Sequence, residues 1–125
     1  MNYTFGTRSK KHLRTLDPKL QEVLEHALST GVMDFTILVG YRGEEDQNAA
    51  YAAGNSYLKY PQSRHNSLPS QAVDVAPYPI DWKDTERFAK LAGVILASAA
   101  LLSVDLEWGG DWKTLKDMPH FEIKQ

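Results

Sequence analysis

The order of elements in this sequence predicts an α+β domain, with helices packed on a small, mostly antiparallel sheet. Two observations carry that expectation. Short segments rich in β-branched and aromatic residues are scattered among helical ones, in the order α-β-α-loop-β-α-β-β. Two of them, "AVDVA" and "HFEI", alternate between two sets of side chains, as strands with one face on a core do.

The first helix is "LDPKLQEVLEHALSTG", marked at both ends. Asp17 suits its N-cap, Pro18 its first turn and Gly31 the position just past its end. Leu20, Val23, Leu24, Ala27 and Leu28 form one apolar stripe, and His26 lies off it, as a solvated histidine would. Residues 34–42, "DFTILVGYR", read as a strand. "GEEDQNAAYAAG" follows as a short helix with acids in its first turn and Gly54 as a stop. Residues 55–71 read as a long loop, of the kind that often carries function. After the strand "AVDVAPY" comes the longest helix, "DWKDTERFAKLAGVILASAALLS". Asp81 is a candidate cap for it, and its second half, apolar nearly all round, is expected to run through the core. "VDLEWGGDW" is a strand ending in a Gly-Gly turn. "HFEIK" is a closing strand with His120 and Glu122 on one face and Phe121 and Ile123 on the other.

Composition narrows the chemistry. A length of 125 residues suits one domain, residues 1–125, with a core that needs no staples. The net charge of −2 gives no overall electrostatic footprint for nucleic acid or anionic lipid. With no cysteine, disulfides, thiolate metal sites and a cysteine nucleophile are excluded. The longest uncharged run, Leu91 to Val104, is too short to span a bilayer, so no membrane insertion is expected. The N-terminus lacks the apolar core of a signal peptide, which predicts synthesis in the cytoplasm and, for any outside role, release by other means.

Two segments hold the candidate chemistry. Mid-strand Asp74 runs against β propensity and asks for a reason, a salt bridge or a ligand. In "DMPH", Pro119 keeps Met118 extended, so that the Asp117 carboxylate can fold toward whatever His120 binds. His65 adds a second imidazole in the preceding loop. Two imidazoles and a carboxylate are a ligand set for catalytic zinc, and a further carboxylate can act as general base. The same residue types also meet on loops without any metal. Arg42 is either a fork for a substrate carboxylate or carbonyl, or a surface partner of Glu44, Glu45 or Asp46. Trp108, Trp112 and Gly109-Gly110 either wall a cleft or fill the core.

The runs "DFTILVGYRGEEDQNAAYAAG", "SRHN…PSQAVDVAPY" and "WGGDWKTLKDMPHFEI" resemble the zinc D-Ala-D-Ala-type peptidases (peptidase M15), most nearly the phage L-alanyl-D-glutamate endopeptidase (endolysin) branch. Ser9, Leu13, Asp17 and Leu20 extend the likeness to the start of the chain. The resemblance implies a hedgehog/DD-peptidase-like fold and places zinc ligands at His65, Asp74 and His120. It makes Asp117 the catalytic base and Arg42 an aid to substrate binding and transition-state charge. Ser63, from the S-x-H motif, adds a substrate contact, and Gln47 matches a recurrent supporting glutamine. His65 stands nine positions before Asp74, where many members have seven, so the loop through "NSLPS" must bulge for both to converge.

The function implied is zinc-dependent hydrolysis of peptidoglycan stem peptides, at the L-Ala–D-Glu bond, by a monomer without a separate cell-wall-binding module. A D-Ala-D-Ala carboxypeptidase is the alternative within the class. A non-catalytic zinc-stabilised binding module, such as a virion part, is the alternative outside it.

Overall fold

The computed structural model describes residues 2–124. Four helices, α1 (Thr7–Leu13), α2 (Pro18–Ser29), α3 (Glu44–Ala52) and α4 (Thr85–Leu101), accompany four strands, β1 (Phe35–Val39), β2 (Ala72–Pro77), β3 (Leu106–Trp108) and β4 (His120–Ile123). The strands form one sheet in the order β1-β2-β4-β3, antiparallel throughout. The α+β expectation is met.

Pleating divides the sheet into two chemistries. Ile37, Val73, Val75 and Phe121 join the core with Leu20, Val23 and Leu24 of α2 and Leu91 and Ile95 of α4. Each such fully buried side chain contributes about 1.5–3 kcal/mol from leaving water. The opposite face of β2 and β4 carries Asp74, His120 and Glu122, as alternation requires. Asp17 caps α2 by accepting from the Lys19 N–H at 2.9 Å, and Gly31 takes the left-handed conformation just past the helix.

Four expectations need correction. Helix α1 was not foreseen, because "TRSKKHL" buries only Ser9 and Leu13 and so shows no apolar stripe. Asp84, not Asp81, caps α4, accepting from the Arg87 N–H at 3.2 Å, while Asp81 closes a tight turn onto Lys83 N. The second half of α4 is buried on one face only, and Leu101 is 73% exposed. His26 is half-buried rather than solvated. Its Nδ1 lies 2.8 Å from the Ser98 hydroxyl, across the α2–α4 contact.

Candidate metal centre

Register brings the first two candidates together. β2 and β4 are paired so that Asp74 stands directly opposite His120. His120 Nδ1 lies 3.1 Å from Asp74 Oδ1. His65 arrives from a 3-10 turn, Arg64–Asn66, that begins with a capping box between Ser63 and Asn66. That turn is fastened to the segment that follows β1, where the Arg42 N–H donates to the His65 carbonyl at 2.8 Å. His65 Nε2 then reaches the same Asp74 Oδ1 at 3.2 Å. The longer loop before Asp74 therefore does not keep the two ligands apart.

Gly40 makes this placement possible. A Cβ there would stand 2.6 Å from the His12 carbonyl and would also strike the Thr15 hydroxyl, so only glycine lets β1 run this close to the α1–α2 connection. Its carbonyl faces His65 Nδ1 at 2.8 Å. A carbonyl only accepts, so Nδ1 donates, and the lone pair of a neutral His65 ring sits on Nε2, toward Asp74. Likewise His120 Nε2 donates to Glu122 Oε1 at 2.7 Å, which turns Nδ1 inward. Arg64 Nε holds the other Glu122 oxygen at 2.7 Å. Outer partners of this kind fix the tautomer and orientation of metal-binding histidines.

Two inward lone pairs and a carboxylate oxygen on one point need protons or a cation between them. Tetrahedral ligands of zinc stand about 3.3 Å apart, close to the two distances found. The three ligand atoms all lie within 4.8 Å of one another, so this His-Asp-His group can hold a metal ion. Without metal, protons take its place. Burial opposes a charge on His120, but hydrogen bonds to Asp74 and Glu122 push its pKa up to about 9. Burial also works against ionised Asp74, yet the hydrogen bonds of His120 and His65 hold it well below the usual carboxylate range.

The remaining candidates surround a cavity of about 520 Å³ that opens on His65, Asp74 and His120. Asp117 lines it. Burial and the charge of Asp74 push the Asp117 carboxyl up, against the pull of His120, His65 and Arg42. Gly109 positions this acid: its carbonyl accepts from the Asp117 N–H at 3.0 Å, and a Cβ on it would strike the Asp117 carbonyl. Arg42 turns inward, not to Glu44, Glu45 or Asp46. Its Nη1 donates to Gln47 Oε1 at 3.0 Å, and its Nη2 stands 3.9 Å from Asp74 Oδ2. Gln47 is fully buried and also donates to the Leu58 carbonyl at 2.6 Å, a bracing role. Ser63 lines the cavity while its hydroxyl accepts from the His65 N–H at 3.2 Å. The tryptophans divide the two roles weighed for them. Trp108 packs over Phe121 and donates to the Met118 carbonyl at 2.7 Å, whereas Trp112 walls the cavity 5.3 Å from the His120 ring.

Sequence reasoning missed the parts played by Arg64, Glu122 and the Gly40 carbonyl. Alternation did put Glu122 on the face of His120, which is the one sign of it that the sequence carries.

Known proteins resemble this chain over most or all of its length. A family model described as phage L-alanyl-D-glutamate peptidase matches residues 1–125. The L-alanyl-D-glutamate peptidase of Escherichia phage T5 is 37% identical over 128 residues, spanning 100% of this chain and 92% of that protein. The peptidoglycan L-alanyl-D-glutamate endopeptidase CwlK of Bacillus subtilis (strain 168) is 26% identical over 127 residues, covering 82% of this chain and 68% of its own. Among solved structures, the L-Ala D-Glu endopeptidase ChiX of Serratia marcescens superposes with a TM-score of 0.84 at 34% identity, over 99% of this chain and 90% of that one. A match of this extent, on a sheet that presents a His-Asp-His cluster to an open cavity, assigns the chain to the phage L-alanyl-D-glutamate peptidase family.

Proposed function

We propose that the chain hydrolyses the L-Ala–D-Glu bond of peptidoglycan stem peptides, using a zinc ion held by His65, Asp74 and His120. The observation that carries this reading is the meeting of two inward-turned imidazole nitrogens on one Asp74 oxygen, in a cavity that Asp117 also lines. Zinc in such a three-ligand site supplies a Lewis acid that polarises a carbonyl and acidifies a water.

The chain's own groups supply the rest. Asp117 takes the proton of the attacking water and returns it to the leaving amine, so one carboxyl serves both halves of the reaction. Its raised pKa suits that exchange. Arg42, braced by Gln47, offers a fixed cation to the charge that develops on the scissile carbonyl oxygen. Ser63 sets the His65 backbone and adds a hydroxyl to the substrate wall. All these groups come from one chain, so the reading needs no second copy. No helix among the described residues is long and apolar enough to cross a membrane. The reading places the activity at the cell wall, after release from the cell that makes the protein.

The test is direct. Purified protein should release new N-terminal D-Glu from peptidoglycan, identified by mass spectrometry, and should stop doing so with a zinc chelator. Cleavage unchanged by the chelator would remove the metal from the mechanism. New termini at D-Ala instead would make the enzyme a carboxypeptidase.

A further inference from the structure

We infer that Lys116 is a specificity-determining residue, the countercharge for the free carboxylate of the substrate's glutamate. The inference rests on the activity proposed above and names the group that recognises its substrate.

The substrate's chemistry poses the problem. A glutamate on the amine side of the cut bond has two carboxyl groups and needs only one to continue the chain. The other stays ionised, close to the leaving nitrogen. It must enter a cavity already lined by Asp74, Asp117 and Glu122. Like charges at short range in a partly dry site repel strongly, so a cation has to meet it.

Three cations line the cavity: Arg42, Arg64 and Lys116. Arg42 is held at the reacting end by Gln47 and Asp74. Arg64 is neutralised by Glu122 and also donates to the Ile123 carbonyl. Among the described residues, Lys116 alone of the three has no ion pair or side-chain hydrogen bond. It is exposed, one position before Asp117, the acid that serves the leaving amine.

The backbone holds it there by design. The Trp112 and Asp117 N–H groups both donate to the Gly109 carbonyl, at 3.3 and 3.0 Å, which closes the loop between them on a single acceptor. Inside that loop Leu115 has a φ of 55°, a conformation that branched L-residues rarely adopt. Strain of this kind concentrates at ligand sites, where it aims particular side chains. Here Leu115 and Lys116 both line the cavity.

The experiment compares two synthetic stem peptides, one with the free glutamate carboxylate and one with that carboxyl as its amide. Each is assayed for kcat and KM with wild-type protein, Lys116→Ala, Lys116→Arg and Lys113→Ala. Lys113 is exposed in the same loop but does not line the cavity. Lys116→Ala should raise KM for the carboxylate peptide about fivefold, the scale of a partly solvated ion pair, and leave the amide peptide unchanged. Lys116→Arg should restore the preference, Lys113→Ala should not disturb it, and high salt should erode it. Equal losses on both peptides, or no loss on either, would overturn the inference while leaving the peptidase activity standing. A wild-type protein that cut neither peptide would instead overturn the activity, and the role of Lys116 with it.

Discussion

Raising the pH on metal-free protein should destabilise it, and the site's geometry sets how much. His120 has a folded-state pKa of about 9 against an ordinary 6.5, because Asp74 and Glu122 bind its charged form. The folded chain therefore holds that proton more tightly than the unfolded one. The stability this contributes is fully present below pH 6.5 and is lost as pH rises through about 9. At 1.36 kcal/mol per pKa unit the loss approaches about 3 kcal/mol. The His120 side chain is only 8% exposed, so solvent screening takes little from that figure. Asp74 is held down by the same contacts, so their energy is counted once. The Asp74 share is lost in acid instead, as pH falls below its ordinary 3.8. His12, whose pKa is lowered by burial and by Lys11 and Arg8, acts in the opposite direction: it costs stability as pH falls below its ordinary 6.5 and adds no loss in alkali. Thermal unfolding of chelator-treated protein from pH 6 to 9.5 should show the melting temperature dropping by about 10 °C. Zinc-loaded protein should do the opposite, since ligation requires the deprotonated rings and strengthens as protons leave. A flat profile without metal, or parallel profiles with and without it, would refute the view that protons and a cation compete for one Asp74-centred point.

Three further changes test separate parts of the site. Asp117→Asn should keep zinc, by metal analysis, and lose about 10²–10⁴-fold in kcat, the usual yield of a general base; full retained hydrolysis would dismiss Asp117 from the role. Glu122→Ala should weaken zinc binding about 10–100-fold in a chelator competition, with Glu122→Gln retaining part of it because an amide oxygen still accepts from His120 Nε2. Gly40→Ala should lower both the unfolding midpoint and the zinc content, since the new methyl has to push β1 off the His12 carbonyl and carry the His65 partner with it; unchanged zinc content would show that His65 finds its place without Gly40.

Patterns that repeat every two or every 3.6 residues were legible without coordinates, because a side chain's face follows from its own element. That is why α2, the strands β2 and β4, and the common face of His120 and Glu122 could be read in advance. The four chemical residues were also recognisable, by type and by motif. Helix α1 was not, since its cations show no periodic stripe and its burial of Ser9 and Leu13 depends on β1 arriving beside it. Nor could local sequence choose between Asp81 and Asp84 as the acceptor for the free Arg87 N–H in the first turn of α4. Tertiary structure decided which nitrogen of each imidazole faces inward, because the Gly40 carbonyl comes from another segment and the Asp74 oxygen that His120 Nδ1 meets is brought there by strand register. It decided as well that Arg42 and Arg64 each stand beside an acid, while among the described residues Lys116 has no ion pair. Local sequence determines what a side chain can do; its charge balance and tautomer are set by neighbours that only folding supplies.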